Sequence, residues 1–243
     1  APIYRTHQAA DGSLWFFAGE QSKFQGLSQY HNGTWWRYTK DEIGLDYVPR
    51  SHQQALRAAD GSFWVVGSRN GASAASRYDG QTWRIYTLED GLVGKELSHI
   101  YQADNGDLWF GTTYGNPPLG EGLLRFDGEH WTSYTTQDGL AHNRIYNLTQ
   151  TPDGTVWAGT LEGVSWFDGN TWRSYTHADG LPARKPQYFA VHNGDLWIAY
   201  QASYGAGVTR YDGKTWKTYT TQEGLRSNAI QHIYPSLDGD LWF

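Results

Sequence analysis

The chain contains no cysteine, so neither a disulfide nor a thiolate metal site can form. That absence does not separate compartments, because periplasmic and cytosolic repeat proteins can both do without the residue. No apolar run approaches the roughly 18 residues of a membrane span, and no membrane insertion is expected of this segment. Positive charge is in short supply. Lys and Arg number 19 against 25 Asp and Glu, a net charge of −6, which argues against nucleic acid as a partner. The nine His lack His-x-x-x-His and His-Glu-x-x-His spacing, which speaks against a zinc enzyme. Asp104-Asn105-Gly106-Asp107 is too short for a twelve-residue calcium loop, and no Ser-His-Asp or paired-carboxylate arrangement can be picked out. We therefore assign no catalytic residue, no metal ligand and no cofactor. The opening Ala1-Pro2-Ile3, without Met or a signal peptide, suits a processed secreted chain or a trimmed one and leaves localisation open.

What the chain has in abundance is turns and aromatic rings: 29 Gly, 17 Tyr and 13 Trp. That mixture suits many short strands with large side chains between layers. The Trp fall in a repeat. Near-copies of Asn105-Gly106-Asp107-Leu108-Trp109 end at Trp15, Trp64, Trp157, Trp197 and Trp242, with steps of 49, 45, 48, 40 and 45 residues. Such a period belongs to propeller blades and some solenoids. Asp-Gly or Asn-Gly before apolar residues is a hairpin signal, expected as a type I′ turn with positive φ at both central residues. A second motif, aromatic then Gly turn then Trp, ends at Trp35, Trp83, Trp131, Trp172 and Trp216. It marks a second hairpin per repeat.

Each repeat thus gives four strands, A to D; in the third they fall near residues 97–103, 107–113, 122–126 and 130–135. Strand D runs into Asp90-Gly91-Leu92, Asp138-Gly139-Leu140, Asp179-Gly180-Leu181 or Glu223-Gly224-Leu225, and a polar crossover of about ten residues leads to the next strand A. Four antiparallel strands joined by one longer crossover describe a β-propeller blade; a parallel β-helix lacks such hairpins. The expected fold is an all-β propeller of five complete blades, approximately 1–45, 46–92, 93–140, 141–181 and 182–225. The inner A–B half of a sixth follows at 226–243. A single domain over 1–243 is expected, as a fragment of a larger ring, a ring with an incomplete blade, or a ring that exchanges strands with a neighbouring chain. An open edge at Leu241–Phe243 would invite such a chain. Eleven of the thirteen Trp sit at repeat positions and are read as packing between blades.

Blade geometry predicts two unlike faces. The A–B and C–D turns gather Asp11, Asp60, Asp79, Asp104, Asp107, Asp127, Asp153, Asp168, Asp195, Asp212, Asp238 and Asp240. The other face receives the inner ends of the crossovers, with Arg50, Lys95, Arg144, Arg184, Lys185, Arg226 and Asn228. Just beyond, His99, Asn147 and His232 share a strand A position, and Gln54 and Gln187 are placed on the same register. This basic face is a candidate receiver for an anionic or polyhydroxylated ligand; the plainer reading is that turn Asp serve turn geometry and the cations keep loops soluble. The unequal B–C connections, 20–25, 69–73, 114–121, 161–162 and 201–206, are a second candidate surface. There Tyr114 and Tyr204 could form a sugar-stacking platform.

These residues resemble the two-component regulator propeller repeat, which reads roughly Gly-x-Leu-Trp-x-Gly-Thr, then Gly-Leu, an aromatic and a later Asp-Gly-Leu. Gly106, Leu108, Trp109, Gly111, Thr112, Gly122, Leu123 and Phe126 match it. So do Gly154, Val156, Trp157, Gly159, Thr160, Gly163, Val164 and Phe167. Ala18-Gly19, Gly67-Ser68 and Ala199-Tyr200 depart from its Gly-Thr. The resemblance implies a non-enzymatic sensor in the periplasm or outside the cell, taking a small-molecule or oligosaccharide ligand and signalling to a bacterial kinase. An alternative is a free-standing lectin-like propeller. A metal-dependent lyase or hydrolase is a further one, prompted by a likeness of Asp-Gly-x-Leu-Trp-Phe to lyase propellers.

Overall fold

The turn residues decide where each hairpin folds. In the first, second and fourth repeats the carboxylate of Asp11, Asp60 or Asp153 accepts the backbone N–H two residues on, and the Gly between them takes positive φ. Gly12 N–H donates to the Ala9 carbonyl and Ala9 N–H to Ser13, which is a three-residue loop. Asp stays out of the left-handed region, so the type I′ geometry expected at every Asp-Gly occurs only where Asn precedes Gly with both φ positive. Those sites are Asn32-Gly33, Asn70-Gly71 and Asn193-Gly194. Asn tolerates the left-handed region.

The computed structural model describes residues 2–9, 11–20, 23–48, 54–94, 96–112, 122–236 and 238–243. Among them are five four-stranded antiparallel sheets and one strand pair, each sheet ordered A-B-C-D. The strands of the first sheet are Ile3–Gln8, Leu14–Glu20, Lys23–His31 and Thr34–Thr39. Those of the second are Ala55–Arg57, Phe63–Arg69, Ala72–Tyr78 and Trp83–Tyr86, and those of the third Leu97–Gln102, Leu108–Thr112, Leu123–Phe126 and Trp131–Tyr134. The fourth has Ile145–Gln150, Val156–Thr160, Gly163–Phe167 and Trp172–Thr176, and the fifth Pro186–His192, Asp195–Tyr200, Val208–Tyr211 and Trp216–Tyr219. Tyr234–Pro235 pairs with Leu241–Trp242. This is a β-propeller of five complete blades and the inner half of a sixth.

Two compact units divide the chain: Ala1–Gly115 with Leu124–Ser133, and Asn116–Leu123 with Tyr134–Phe243. In each, the core lies between neighbouring sheets. In the first, Trp15 stacks on Phe63 of the next sheet at 3.9 Å and meets Trp83 edge-on. Trp64 likewise packs on Phe110 and Phe126 of the third sheet. In the second, Trp157 meets Tyr211 and Trp216 of the fifth sheet edge-on. The packing reading of the Trp holds at these positions. It fails at Trp35 and Trp242, which are 57% and 63% exposed; the ring contacts of Trp35 are with Phe16 and Tyr30 of its own sheet.

The third residue of the turn motif holds the indole in four of the repeats; in the fourth repeat the Trp157 N–H donates instead to Thr151. Where it is Ser, as at Ser13 and Ser62, its hydroxyl donates to the turn Asp and accepts the indole N–H of Trp15 or Trp64. Where it is Asp, the carboxylate takes an Arg from strand C instead. Arg125 Nε lies 2.7 Å from Asp107 and its guanidinium 5.9 Å from the Trp109 ring, and Arg210 repeats this with Asp195 and Trp197. After strand D, Thr39, Thr87, Thr135, Thr176 and Thr220 each present a backbone N–H to Glu42, Asp90, Asp138, Asp179 or Glu223. The first four open single-turn helices, 40–43, 88–90, 136–138 and 177–179. So short a helix leaves no periodicity in the sequence.

The C–D turns carry an acid-sensitive device. Asp79, Asp127, Asp168 and Asp212 each accept two backbone N–H bonds. The larger of these, from Thr82, His130, Thr171 and Thr215, holds the carboxyls below their ordinary range, Asp212 at about 2. A carboxyl with a depressed folded pKa contributes stability above its unfolded value, near 3.9, and loses that contribution as pH falls through the folded one. The melting temperature should therefore drop between about pH 4 and pH 2, and replacing all four Asp with Ala should flatten that drop. Thermal melts across this window decide it; an unchanged slope would count against the turns as its source.

Candidate functional site

In the second unit the inner ends of two crossovers are tied together by backbone hydrogen bonds. Leu161, in the two-residue B–C turn of the fourth sheet, donates its N–H to the Arg144 carbonyl at 3.1 Å. Its carbonyl accepts from Lys185 N–H at 3.0 Å, and the Lys185 carbonyl accepts from Gln201 at 3.2 Å. One residue thus holds Arg144 and Lys185 on either side of it. The sequence placed these two cations on one face, and the structure brings them together through this ladder.

Side chains fill in around it. Lys185 Nζ sits 4.6 Å from the Tyr146 ring centre, a cation–π arrangement. Burial, and after it the charge of Arg144, hold the Lys185 ammonium below its ordinary pKa. Glu162, next to Leu161, pairs with Arg184 at 3.0 Å. His142 Nδ1 accepts the Arg144 backbone N–H at 2.9 Å. Burial lowers the His142 pKa, Glu162 opposes the shift and Arg144 adds to it. Tyr146 reaches this position because it is an extra residue in its strand: Ile145 pairs with Thr160 and Asn147 with Gly159, leaving Tyr146 as a bulge. The same bulge occurs at Tyr4, Ser98 and Gln187.

Residues 139–162, which include Arg144, Tyr146 and Leu161, match the family model described as two component regulator propeller. The chain carries a two component regulator propeller repeat. No curated protein matches it. Among solved structures, the extracellular domain of the hybrid two component system BT3049 from B. thetaiotaomicron superposes with a TM-score of 0.68 at 16% identity, over 97% of this chain and 31% of that one. PorZ, a surface component of the type-IX secretion system of Porphyromonas gingivalis, gives 0.67 at 16% identity, over 97% and 37%. A protein described as a gluconolactonase gives 0.53 at 11% identity, over 94% and 79%. The chain spans well under half the length of the first two. At these identities the likeness is one of fold.

Elsewhere in the propeller the other residues of the basic face and of the B–C connections are spread out. Arg50, Lys95 and Tyr114 lie outside the described residues. His99, in the first unit, is 6% exposed, with Nδ1 2.8 Å from Ser98 Oγ. Asn147 donates from Nδ2 to the Gln187 carbonyl at 2.9 Å, joining the fourth sheet to the fifth. The register moves Gln187 off the shared strand A position: the bulge makes it the extra residue, and Tyr188, paired with Ala199, takes the place of His99 and Asn147. The Tyr188 ring lies 4.9 Å from that of His232.

Asn228 braces its crossover, its Oδ1 accepting from Thr221 N–H at 2.7 Å and its carbonyl from Gly207; Asn143 does the same with Thr136 and Gly122. Arg226 is exposed. Tyr204 is 48% exposed at the end of a 3-10 turn, Ala202–Tyr204. Two of the B–C connections are shorter than expected. Strands B and C of the second sheet meet across Asn70-Gly71 alone, and those of the first sheet run on to Glu20 and from Lys23. In the first unit Arg69, Asn70, Ser73 and Leu88 line an open cleft beside that tight turn.

His142, Tyr146 and Tyr188 are not singled out by the sequence, and Glu162 enters there only as half of the short B–C connection 161–162. A Tyr at the start of strand A was visible at Tyr146, but its displacement by the bulge was not.

Proposed function

We propose that this chain is a non-catalytic ligand-sensing propeller that acts in the periplasm or outside the cell and receives a small polar ligand, a glycan in the first instance. The observation that carries the reading is the backbone ladder that makes Arg144 and Lys185 the two neighbours of Leu161 in a protein with net charge −6. The Asp of the turns, by contrast, are consumed by their own loops. The family match across residues 139–162 and the extracellular two component domain among the neighbours support the sensor context.

A lectin-like propeller with one site per blade is the second reading, and the recurring bulge favours it, since the first strands of four sheets offer the same displaced position. The occupants are of three kinds, Tyr at 4 and 146, Ser98 and Gln187, which argues against equal sites on every blade. The gluconolactonase-like neighbour makes hydrolysis the third.

Calorimetric titration of the chain with a panel of neutral and acidic oligosaccharides tests the proposal. At least one should bind, and the double substitution Arg144→Ala with Lys185→Ala should weaken it by about tenfold or more, the worth of a lost charge-assisted contact. Binding untouched by the double substitution would move the site elsewhere. Turnover of any panel member would sink the non-catalytic reading.

A further inference from the structure

Four residues other than Gly have positive φ among the described residues: Asn32, Asn70, Asn193 and Lys185. Asn accepts the left-handed region because its short amide bonds locally, and all three Asn stand before Gly in tight turns. Lys185 has no such excuse. At φ 57° its Cβ crowds the backbone, and it stands before Pro186, a neighbour that restricts the preceding residue further. Its conformation is imposed from outside, by the N–H bond to Leu161 and the carbonyl bond from Gln201. Gly or Asn would meet the same backbone demand with less strain, so the long cationic side chain is kept at a cost. Strain of this kind gathers where a side chain is held for use.

What surrounds the ammonium sharpens the point. No carboxylate lies within ion-pair distance of it among the described residues, and the nearby acid, Glu162, pairs with Arg184. Its closest charged influence is another cation, Arg144, which opposes its protonation. Under it lies the face of Tyr146, whose quadrupole attracts the ammonium and leaves the opposite side of Nζ for a ligand. A partly buried pair of like charges gains most from an anion placed between them, since low dielectric strengthens that contact.

We propose that Arg144, Lys185 and Tyr146 form a clamp for one acidic group of the ligand, a carboxylate, sulfate or phosphate. This rests on the ligand-receiving role proposed above for the same face and narrows it to anionic ligands. Arg144 and Lys185 bind the group from two sides of Leu161, and Tyr146 fixes the ammonium.

The full chain, titrated at constant ionic strength with sodium sulfate, sodium phosphate, galacturonate and, as a neutral control, galactose, separates the sources of the charge. At least one anion should saturate and galactose should not. Lys185→Gly should weaken that anion by about 10–100-fold while raising the melting temperature of the unliganded chain by about 2–4 °C, because the strain is relieved. Lys185→Asn, also at ease in this conformation, should lose the anion as well without melting below the parent chain. Two results overturn the clamp: no saturable anion, or anion binding intact in both variants. A Lys185→Gly chain that melts lower would show the side chain to be there for packing, and would overturn it too. If a neutral oligosaccharide binds this face while all three anions fail, the clamp falls and the broader sensing role stands.

Discussion

Trp64→Ala should cost about 3–5 kcal/mol of stability, whereas Trp35→Ala should cost less than about 1 kcal/mol. Both residues come from the repeat and both are tryptophan, so sequence alone ranks them together. The structure separates them by what covers the ring. Trp64 is 2% exposed, stacked on Tyr86 at 5.3 Å and wedged against Phe110 and Phe126 of the next sheet, its indole N–H held by Ser62 at 2.9 Å. Removing the indole leaves a cavity between two sheets and takes from the Ser62 hydroxyl the N–H it accepts, leaving its bond to Asp60. A domain of total stability about 5–15 kcal/mol can lose its fold to such a change. Urea unfolding followed by circular dichroism reads both variants. A loss below about 1 kcal/mol for Trp64→Ala would deny that the cores lie between the sheets.

The second large effect is predicted at a glycine. Gly207→Ala should destabilise by about 2–4 kcal/mol, combining a left-handed backbone with overpacking. Gly207 has φ 75°, and a methyl there would fall on the carbonyl oxygen of Tyr219 in the adjacent strand. The same collision awaits Gly26 with Tyr38, Gly122 with Tyr134 and Gly163 with Tyr175, so four of the five sheets share the requirement, and the second carries Ala74 at that position. Gly213→Ala supplies the control. That turn glycine has φ 89° but open space where the methyl would sit, so it isolates the backbone cost, about 1 kcal/mol. Thermal melts that gave the two variants equal losses would remove the close approach as the reason for Gly207.

The blade plan was legible because it is written in local chemistry. Asp-Gly and Asn-Gly fix hairpins, and alternating apolar residues fix strands; in the third repeat the observed strands fall within one residue of the expected limits. The turn type was misjudged because Asp and Asn were treated alike. Asp11 and Asp60 spend their carboxylates on the backbone and on Ser13 and Ser62, and so favour a longer loop. Gln187 was placed one position wrong because counting by twos fails across a bulge, and nothing in Pro186-Gln187-Tyr188 announces one. At the candidate site the cations could be read from the crossovers, but their setting could not. Tyr146, Leu161 and Lys185 come from three segments that only the fold makes neighbours, and the choice of Glu162 for Arg184 over Lys185 is a matter of geometry. The exposed Trp35 shows the same limit, since a repeat motif does not say what lies against it.

The bulge at the head of the first strand in four of the five sheets frees one side chain in each from the in-and-out alternation that the rest of the strand must obey. Tyr4, Ser98, Tyr146 and Gln187 share the place but only the two Tyr share a side chain. Tyr4 packs against the core of the first unit and Ser98 is buried, so a substitution at either reaches the packing of the sheets, whereas Tyr146 and Gln187 are only half-buried. Variation at the fourth and fifth blades can therefore alter what the protein displays without rebuilding the framework beneath it.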